Sequence, residues 1–408
     1  MRILIHGLNF APELVGVGKY TGEMAEWLAD RGHEVRAVTA PPFNPQWKVA
    51  PGFSPWRYSR EATGRLTVLR CPLWVPRRPS STKRILHLAS FATASFLVML
   101  RQIPWKPEVV LVVEPTLFCL PAALITGRFC GAKTWLHVQD FEADAGFGLG
   151  LLNSAGLRLA VGRVEKKFTA AFDRVSTISE KMLARLAQKG VVPSACRLFP
   201  NWVDTDAIFP LPKPSPLRAE LGISAGQVVA LYAGTMARKQ GLEVLAETAG
   251  RLVARQDLRF VFCGEGPGKL GLASLTGQLA NVQWIPLQPF ERLNDLLNLA
   301  DIHLLPQKAD AADLVMPSKL TGMLSSGRPV VATSRPDTQL AHTVEGRGIV
   351  VEPGNALAFA KAVEQLAEDP GLREKLGTNG RNYALSELEK ESVLSRFGQE
   401  LLSFAATS

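Results

Sequence analysis

Five cysteines in 408 residues, with no CxxC pair among them, leave this chain without a disulfide framework or a zinc site. Cys71, Cys119, Cys130, Cys196 and Cys263 are scattered and odd in number, which points to a reducing, cytoplasmic compartment. The opening MRILIHG is too short and too quickly polar to read as a secretory leader. The sixteen mostly apolar residues 85–100 fall short of the ~20 that a spanning helix needs. Acidic residues are nearly absent from 48–106, where Glu61 stands alone against 11 basic residues. The stretch after the first strand carries neither GxGxxG nor a P-loop. Thr39-Ala40 stands where a nicotinamide-binding fold has its ribose-binding acid, which argues against an oxidoreductase. No short internal repeat and no low-complexity tract is present.

What remains is a packed globular composition, 47% hydrophobic and 20% charged. Its length requires two or three domains. The net charge of +9 is unevenly placed. Residues 1–205 hold 26 Lys and Arg against 15 Asp and Glu, a net of +11, whereas 206–408 hold 20 against 22, a net of −2. Such asymmetry implies an anionic partner for one half: nucleic acid, a membrane surface or a phosphorylated substrate.

Along the chain, short apolar strands alternate with amphipathic helices. Arg2–Gly7 runs into a loop with Gly16 and Gly18, then a helix to about Arg31 and a strand at Glu34–Thr39. Residues 40–64 read as a long Pro-rich loop before a strand at Leu66–Arg70. Trp47 and Trp56 in that loop either stack sugar or pack the loop. Further strands are expected at Val109–Val113, Lys133–Val138, Arg174–Thr177 and Cys196–Phe199. The alternation loses its period at 199–216, a Pro-rich stretch, and restarts at Val228–Ala233. Strands alternating with helices imply parallel sheets covered on both faces. The expected organisation is an α/β protein of two Rossmann-like domains, each with a mainly parallel sheet, facing across a cleft. Residues 1–205 form the N-terminal domain and 206–385 the C-terminal one. A last helix, 386–408, packs back on the first.

The 85–100 stretch is led by Arg77, Arg78, Lys83 and Arg84 and ends near Trp105. It fits a helix lying on an anionic membrane surface, or a core helix with solvated basic neighbours. The stretch Asp313–Ala332 reads as loop, helix and buried strand. Pro317 suits the first helical turn, Ser318 caps it, and Ser318-Lys319 forms a helix N-terminus suited to a diphosphate. Ligands of parallel α/β sheets sit at the carboxyl ends of strands. Loops there carry Gly16-Val17-Gly18-Lys19, His137 to Asp140, Gly234–Gly241 with Arg238 and Lys239, Gly264-Glu265-Gly266, and Pro317-Ser318-Lys319. This is the supply of amides and cations that a diphosphate requires. His33 and His87 do not read as catalytic, and His303 reads as a core histidine.

Over nearly its whole length the chain resembles the retaining nucleotide-sugar glycosyltransferases of family 4, which have the GT-B fold. The carrying stretches are APELVGVGKYTGEMAEWLADRGHEVRAVTA (11–40), LHVQD (136–140), STISEKM (176–182), FPNWVDTDAIFP (199–210), LYAGTMARKQGLEVL (231–245), VFCGEGPG (261–268) and PSKLTGMLSSGRPVVA (317–332). TGEMAEWLADRGHEV, TAPPFNPQW, RCPLWVP and STKRILHLASF look closest to the colanic-acid type of exopolysaccharide enzyme, often described as a fucosyltransferase. The resemblance implies that His137 contacts the sugar; Asp140 and Glu142 are candidates to orient or activate the acceptor, or else solvated loop acids or structural caps. It implies that Gly16, Gly18, Lys19, Arg238, Lys239, Gly264, Glu265, Asp313, Ser318 and Lys319 bind the donor. Arg77, Arg78, Lys83 and Arg84 would face acceptor and membrane. The family commonly has an arginine directly after Gly234, where Thr235 stands here, and two glutamates before the GxPVVA strand, where PSKL stands here. Asp310 or Asp313 could stand in for the first acid. No cofactor or metal is implied. A nucleoside-diphosphate sugar would be donor and a polyprenyl-diphosphate-linked saccharide acceptor, at the inner face of the cytoplasmic membrane. The competing readings are a GT-B-fold nucleotide-sugar epimerase or nicotinamide-dependent oxidoreductase, and a nucleic-acid-binding protein, which would leave the C-terminal half unexplained.

Overall fold

A computed structural model describes every residue except 15, 78–79, 115–116, 142–154, 238–239, 310–315 and 407–408. The chain divides into two compact units, Met1–Pro200 with Leu394–Ser408, and Asn201–Val393.

Unit 1 holds eight strands, β1 (Arg2–Gly7), β2 (Glu34–Thr39), β3 (Ser59–Thr63), β4 (Leu66–Arg70), β5 (Val109–Glu114), β6 (Lys133–Val138), β7 (Arg174–Thr177) and β8 (Cys196–Leu198), in the order β3-β4-β2-β1-β5-β6-β7-β8. All pairs are parallel except β3–β4. Burial explains the composition: every residue of β5, VVLVVE, is buried, as a strand covered on both faces demands. The antiparallel β3 lies within the stretch expected to be loop. All five of its side chains are exposed, so it has no apolar alternation to read and is held by backbone pairing to β4 and by the Glu61–Arg70 ion pair at 2.6 Å. Strand order reverses between β1 and β5, so the glycine-bearing loop after β1 stands at the switch point of the sheet.

The helix expected from residue 85 runs Ser81–Leu100; its first turn is charged and solvated, so its start leaves no apolar mark. The final helix, Lys390–Ala406, joins unit 1 from Leu394 onward. There Phe397 and Phe404 meet the buried Trp135 ring edge-on at 5.3 and 5.4 Å, and Phe397 stacks on Phe199 at 4.1 Å.

Unit 2 holds six parallel strands, β9 (Val228–Ala233), β10 (Leu258–Cys263), β11 (Val282–Ile285), β12 (Ile302–Leu305), β13 (Val330–Thr333) and β14 (Gly348–Val351), in the order β11-β10-β9-β12-β13-β14. Alternate residues feed two cores: Ala230, Tyr232, Phe260 and Phe262 face Phe359 and Val363, while Val229, Leu231 and Val261 face Leu296 and Leu299. The order reverses between β9 and β12, which puts this unit's switch point beside the loop after β9.

Candidate functional site

In unit 2 the carboxyl edge of the sheet is organised around one lysine. The helix Lys319–Ser325 is anchored through buried Leu320, Met323 and Leu324. Ser318 does not cap it as expected. Its backbone is itself helical (φ −59°, ψ −25°) and its side chain makes no capping bond. The helix has only two turns, so the positive feature here is the Lys319 side chain rather than a helix terminus. Lys319 Nζ donates to the Tyr232 hydroxyl at 3.2 Å and lies 4.2 Å from the centre of that ring. The hydroxyl of Tyr232 lies 2.7 Å from Thr235 O and 2.8 Å from Gln240 Oε1. Burial alone pushes the ammonium down from 10.5 to about 7. No ion pair among the described residues includes Lys319; the ring face and hydroxyl are its compensation.

The loops after β9 and β10 interlock beside it. The amides of Gly234 and Met236 donate to Cys263 O (2.9 Å) and Glu265 O (2.8 Å), and Gly268 N to Met236 O (2.8 Å). A Cβ on Gly264 would sit 2.1 Å from Gly234 O, and one on Gly266 2.6 Å from Met236 O. These glycines are therefore explained by loop-on-loop packing, and the amides of Gly234 and Met236 are already taken up. Glu265 is exposed and pairs with Lys269 at 2.5 Å. Arg238, Lys239 and Asp313, with Asp310, lie outside the described residues.

In unit 1 the carboxyl edge is organised around a carboxylate the sequence reading did not single out. Glu13 is buried in the loop after β1. Its Oε1 accepts from the amides of Phe43 and Asn44, both at 3.0 Å, and its Oε2 accepts from Asn9 Nδ2 at 2.9 Å. Burial raises its pKa, and the amide bonds oppose that rise. Glu13 thus ties the loop after β1 to the loop after β2. Gly16 precedes the helix Val17–Asp30 with φ 64° and ψ −148°, a conformation open only to glycine. A Cβ on Gly18 would meet Glu13 Oε2 at 2.4 Å. Lys19 pairs along its own helix with Glu23 at 3.6 Å.

His137 lies one layer beneath the surface rather than in it. It is 2% exposed. Its Nδ1 is 2.9 Å from Ser176 Oγ, which accepts from Trp135 Nε1 at 2.8 Å, and its Nε2 is 2.9 Å from Gln139 Nε2. Burial pushes the imidazole down to about 3, so it is neutral. Both ring nitrogens of His137 are thus engaged by Ser176 and Gln139, with half-buried Asp140 next in the chain. Glu142 and Arg78 lie outside the described residues.

Arg77, Lys83 and Arg84 are exposed. Arg84 lies 5.3 Å from the Trp47 ring, which also packs on Phe43 (5.8 Å) and His87 (5.2 Å), so Trp47 packs its loop, while Trp56 is 71% exposed. His87 Nδ1 donates to Trp74 O at 2.7 Å. His303 is a fully buried core histidine 3.0 Å from Ser326 Oγ. Among the described residues no group of three His, Cys, Asp or Glu is placed to hold a metal ion. Tyr232, Gln240, Glu13 and Ser176 were not singled out in the sequence, whereas Gln139 was, within His137 to Asp140. Only Glu13 left a signal, as a lone acid in an otherwise apolar loop, APELVGVG.

Two parallel-sheet Rossmann-like units of this kind define the GT-B class of glycosyltransferases. The profile of the family described as "Glycosyl transferase 4-like domain" matches residues 15–202, and that of "Glycosyl transferases group 1" matches 215–383. The chain belongs to the family 4 glycosyltransferases. It is 43% identical, over 97% of its length and 98% of the relative's, to WcaI of Escherichia coli K12, a protein named as a colanic acid biosynthesis glycosyl transferase. In structure it is similar to a sucrose-phosphate synthase of Thermosynechococcus elongatus, with TM-score 0.78 and 18% identity over all of both chains. It is also similar to Anabaena Alr3699/HepE in complex with UDP, with TM-score 0.69 and 15% identity over 99% of this chain and all of that one.

Proposed function

We propose that this glycosyltransferase of colanic-acid-type exopolysaccharide synthesis moves a sugar, with retention, from a nucleoside-diphosphate sugar to a polyprenyl-diphosphate-linked oligosaccharide. L-Fucose from GDP-fucose is the first donor to test. The observation that carries the reading is Lys319, a desolvated ammonium with no carboxylate partner among the described residues, beside the switch point of unit 2. Glycosyl transfer builds positive charge at the sugar and negative charge on the departing diphosphate. A half-buried cation held in place by Tyr232 stabilises that charge with little reorganisation. Asp140, next to the His137–Gln139 pair, is the candidate to orient the acceptor hydroxyl. Nothing in this scheme calls for a cofactor.

The acceptor side is taken to be a membrane surface. In the helix Ser81–Leu100, Phe91, Ser95, Val98 and Met99 are buried, while Leu86 and Leu97 are 55% and 58% exposed. Over Thr82–Leu100 only 33% of the stretch is buried, and its length and hydropathy would also allow a membrane crossing. Its buried face, with Lys83 and Arg84 at its start, supports lying on an anionic surface instead.

The test is a thermal-shift screen of nucleoside-diphosphate sugars followed by transfer assays with an undecaprenyl-diphosphate saccharide. A binder raises Tm in proportion to the logarithm of its concentration. GDP-fucose is expected to give the largest shift. A folded protein that neither binds nor hydrolyses any nucleoside-diphosphate sugar removes the reading.

A further inference from the structure

At the opposite, amino-terminal edge of the unit 2 sheet lies a cavity of about 450 Å³. It opens where Asp301 leads into β12 and Arg328-Pro329 leads into β13. Arg328, Arg373, Arg381, Asp301 and Glu374 line it, together with three prolines. Lys319 and Arg328 flank the two ends of one seven-residue helix, about 10 Å long at 1.5 Å per residue. The cavity is therefore separate from the Lys319 site.

The charges around it do not balance. Asp301 is already occupied: its Oδ2 accepts from both terminal nitrogens of Arg218, each at 3.1 Å, and from the Val229 amide at 2.7 Å. Arg373 donates to the carbonyls of Leu366 and Ala367. Arg381 donates to Ile208 O (2.8 Å), Ser325 O (3.1 Å) and Thr205 O (3.0 Å). Carbonyls fix those guanidinium groups in place, and neither makes an ion pair among the described residues, Asp206 being the acid that acts on Arg381. Among the described residues Arg328 has no side-chain hydrogen bond and no ion pair, and its Nε is buried without a partner. Burial and the neighbouring Arg218 and Arg373 hold it below its ordinary range, against the pull of Asp301. Glu374 is exposed. Two guanidinium groups fixed by carbonyls and a third with no hydrogen bond among the described residues surround a cavity, an arrangement short of an anion.

We propose that this cavity is a second binding site for a phosphorylated small molecule, with Arg328 as the anchoring cation and Arg373 and Arg381 as fixed positive walls. Inorganic phosphate alone does not fill such a volume. A monosaccharide phosphate or nucleoside monophosphate does, with its ring against the prolines.

The experiment separates this site from the Lys319 site. Full-length Lys319→Met protein is titrated with inorganic phosphate and with glucose 6-phosphate by calorimetry. Saturable binding is expected, tighter for glucose 6-phosphate. Adding Arg328→Met is expected to weaken it at least tenfold, and Arg328→Met alone is expected to leave nucleoside-diphosphate affinity unchanged. Two controls exclude mere unfolding. Arg328→Met should melt no lower than wild type in phosphate-free buffer, because it removes an uncompensated charge. Glu374→Gln should tighten phosphate binding, a gain that damage cannot produce. Absence of saturable binding in Lys319→Met protein, or binding indifferent to Arg328→Met, overturns the proposal.

Discussion

Replacing Lys319 by methionine tests the donor site by its proton balance. Holding the ammonium's pKa near 7 rather than 10.5 costs the charged form about 5 kcal/mol in the ligand-free protein. A bound diphosphate supplies the missing negative charge, so it must raise that pKa. Below about pH 7 the lysine is already charged and affinity is flat. Above it, binding takes up a proton, and affinity falls by up to tenfold per pH unit until the pKa of the complex is reached. The ligand-free protein behaves oppositely. Its folded pKa lies below the unfolded one, so the unfolded chain binds more protons between about pH 7 and 10.5, and stability rises with pH across that window. The assay is calorimetry at pH 8 with the best nucleoside diphosphate, in two buffers of different ionisation enthalpy. Wild type should take up close to one proton per ligand. Lys319→Met should take up none, bind about 10- to 100-fold more weakly at pH 7, as loss of a charge-assisted bond of about 1.5–3 kcal/mol implies, and lose the pH slope. Equal proton uptake in both proteins, or none in wild type, refutes the reasoning.

Three further outcomes are expected. Glu13→Ala leaves the buried amides of Phe43 and Asn44 without an acceptor and should cost about 2–4 kcal/mol in denaturant melts, whereas Glu13→Gln, which keeps a carbonyl oxygen there, should cost under about 1 kcal/mol; equal losses would deny the amide role. Gly264→Ala forces a methyl to within 2.1 Å of Gly234 O, so it should lower stability by about 3 kcal/mol and weaken donor binding together, as followed by Tm and calorimetry. Leu86→Ser with Leu97→Ser removes two exposed leucines and should cut binding to anionic vesicles more than tenfold without lowering Tm; unchanged sedimentation would remove the helix from the membrane.

The strands were legible because each is a local pattern. Val109–Val113 is apolar throughout since both of its faces are covered, and that is visible in five consecutive letters. The exposed β3 was illegible for the same reason, since backbone pairing to a neighbour leaves no mark on side chains that all face solvent. The glycines were legible as glycines but not as to cause. Gly264 looked like a phosphate loop, and its tight fit against Gly234 depends on a second loop thirty residues away.

The sequence by itself determined the α/β class, the alternation of two Rossmann-like halves, the charge asymmetry between them and the family. These follow from periodicity and composition, which are properties of neighbouring residues. Tertiary structure alone decided which polar groups are short of water and of partners. Lys319 is strongly basic in the sequence, and burial, with Tyr232 from 87 residues earlier packed against it, pushes it down to about 7. His137 is buried with both ring nitrogens engaged by Ser176 and Gln139. Arg328 stands out because Arg218 already holds Asp301. Desolvation and charge balance are sums over everything within a few ångströms, and the residues in those sums are brought together only when the chain folds.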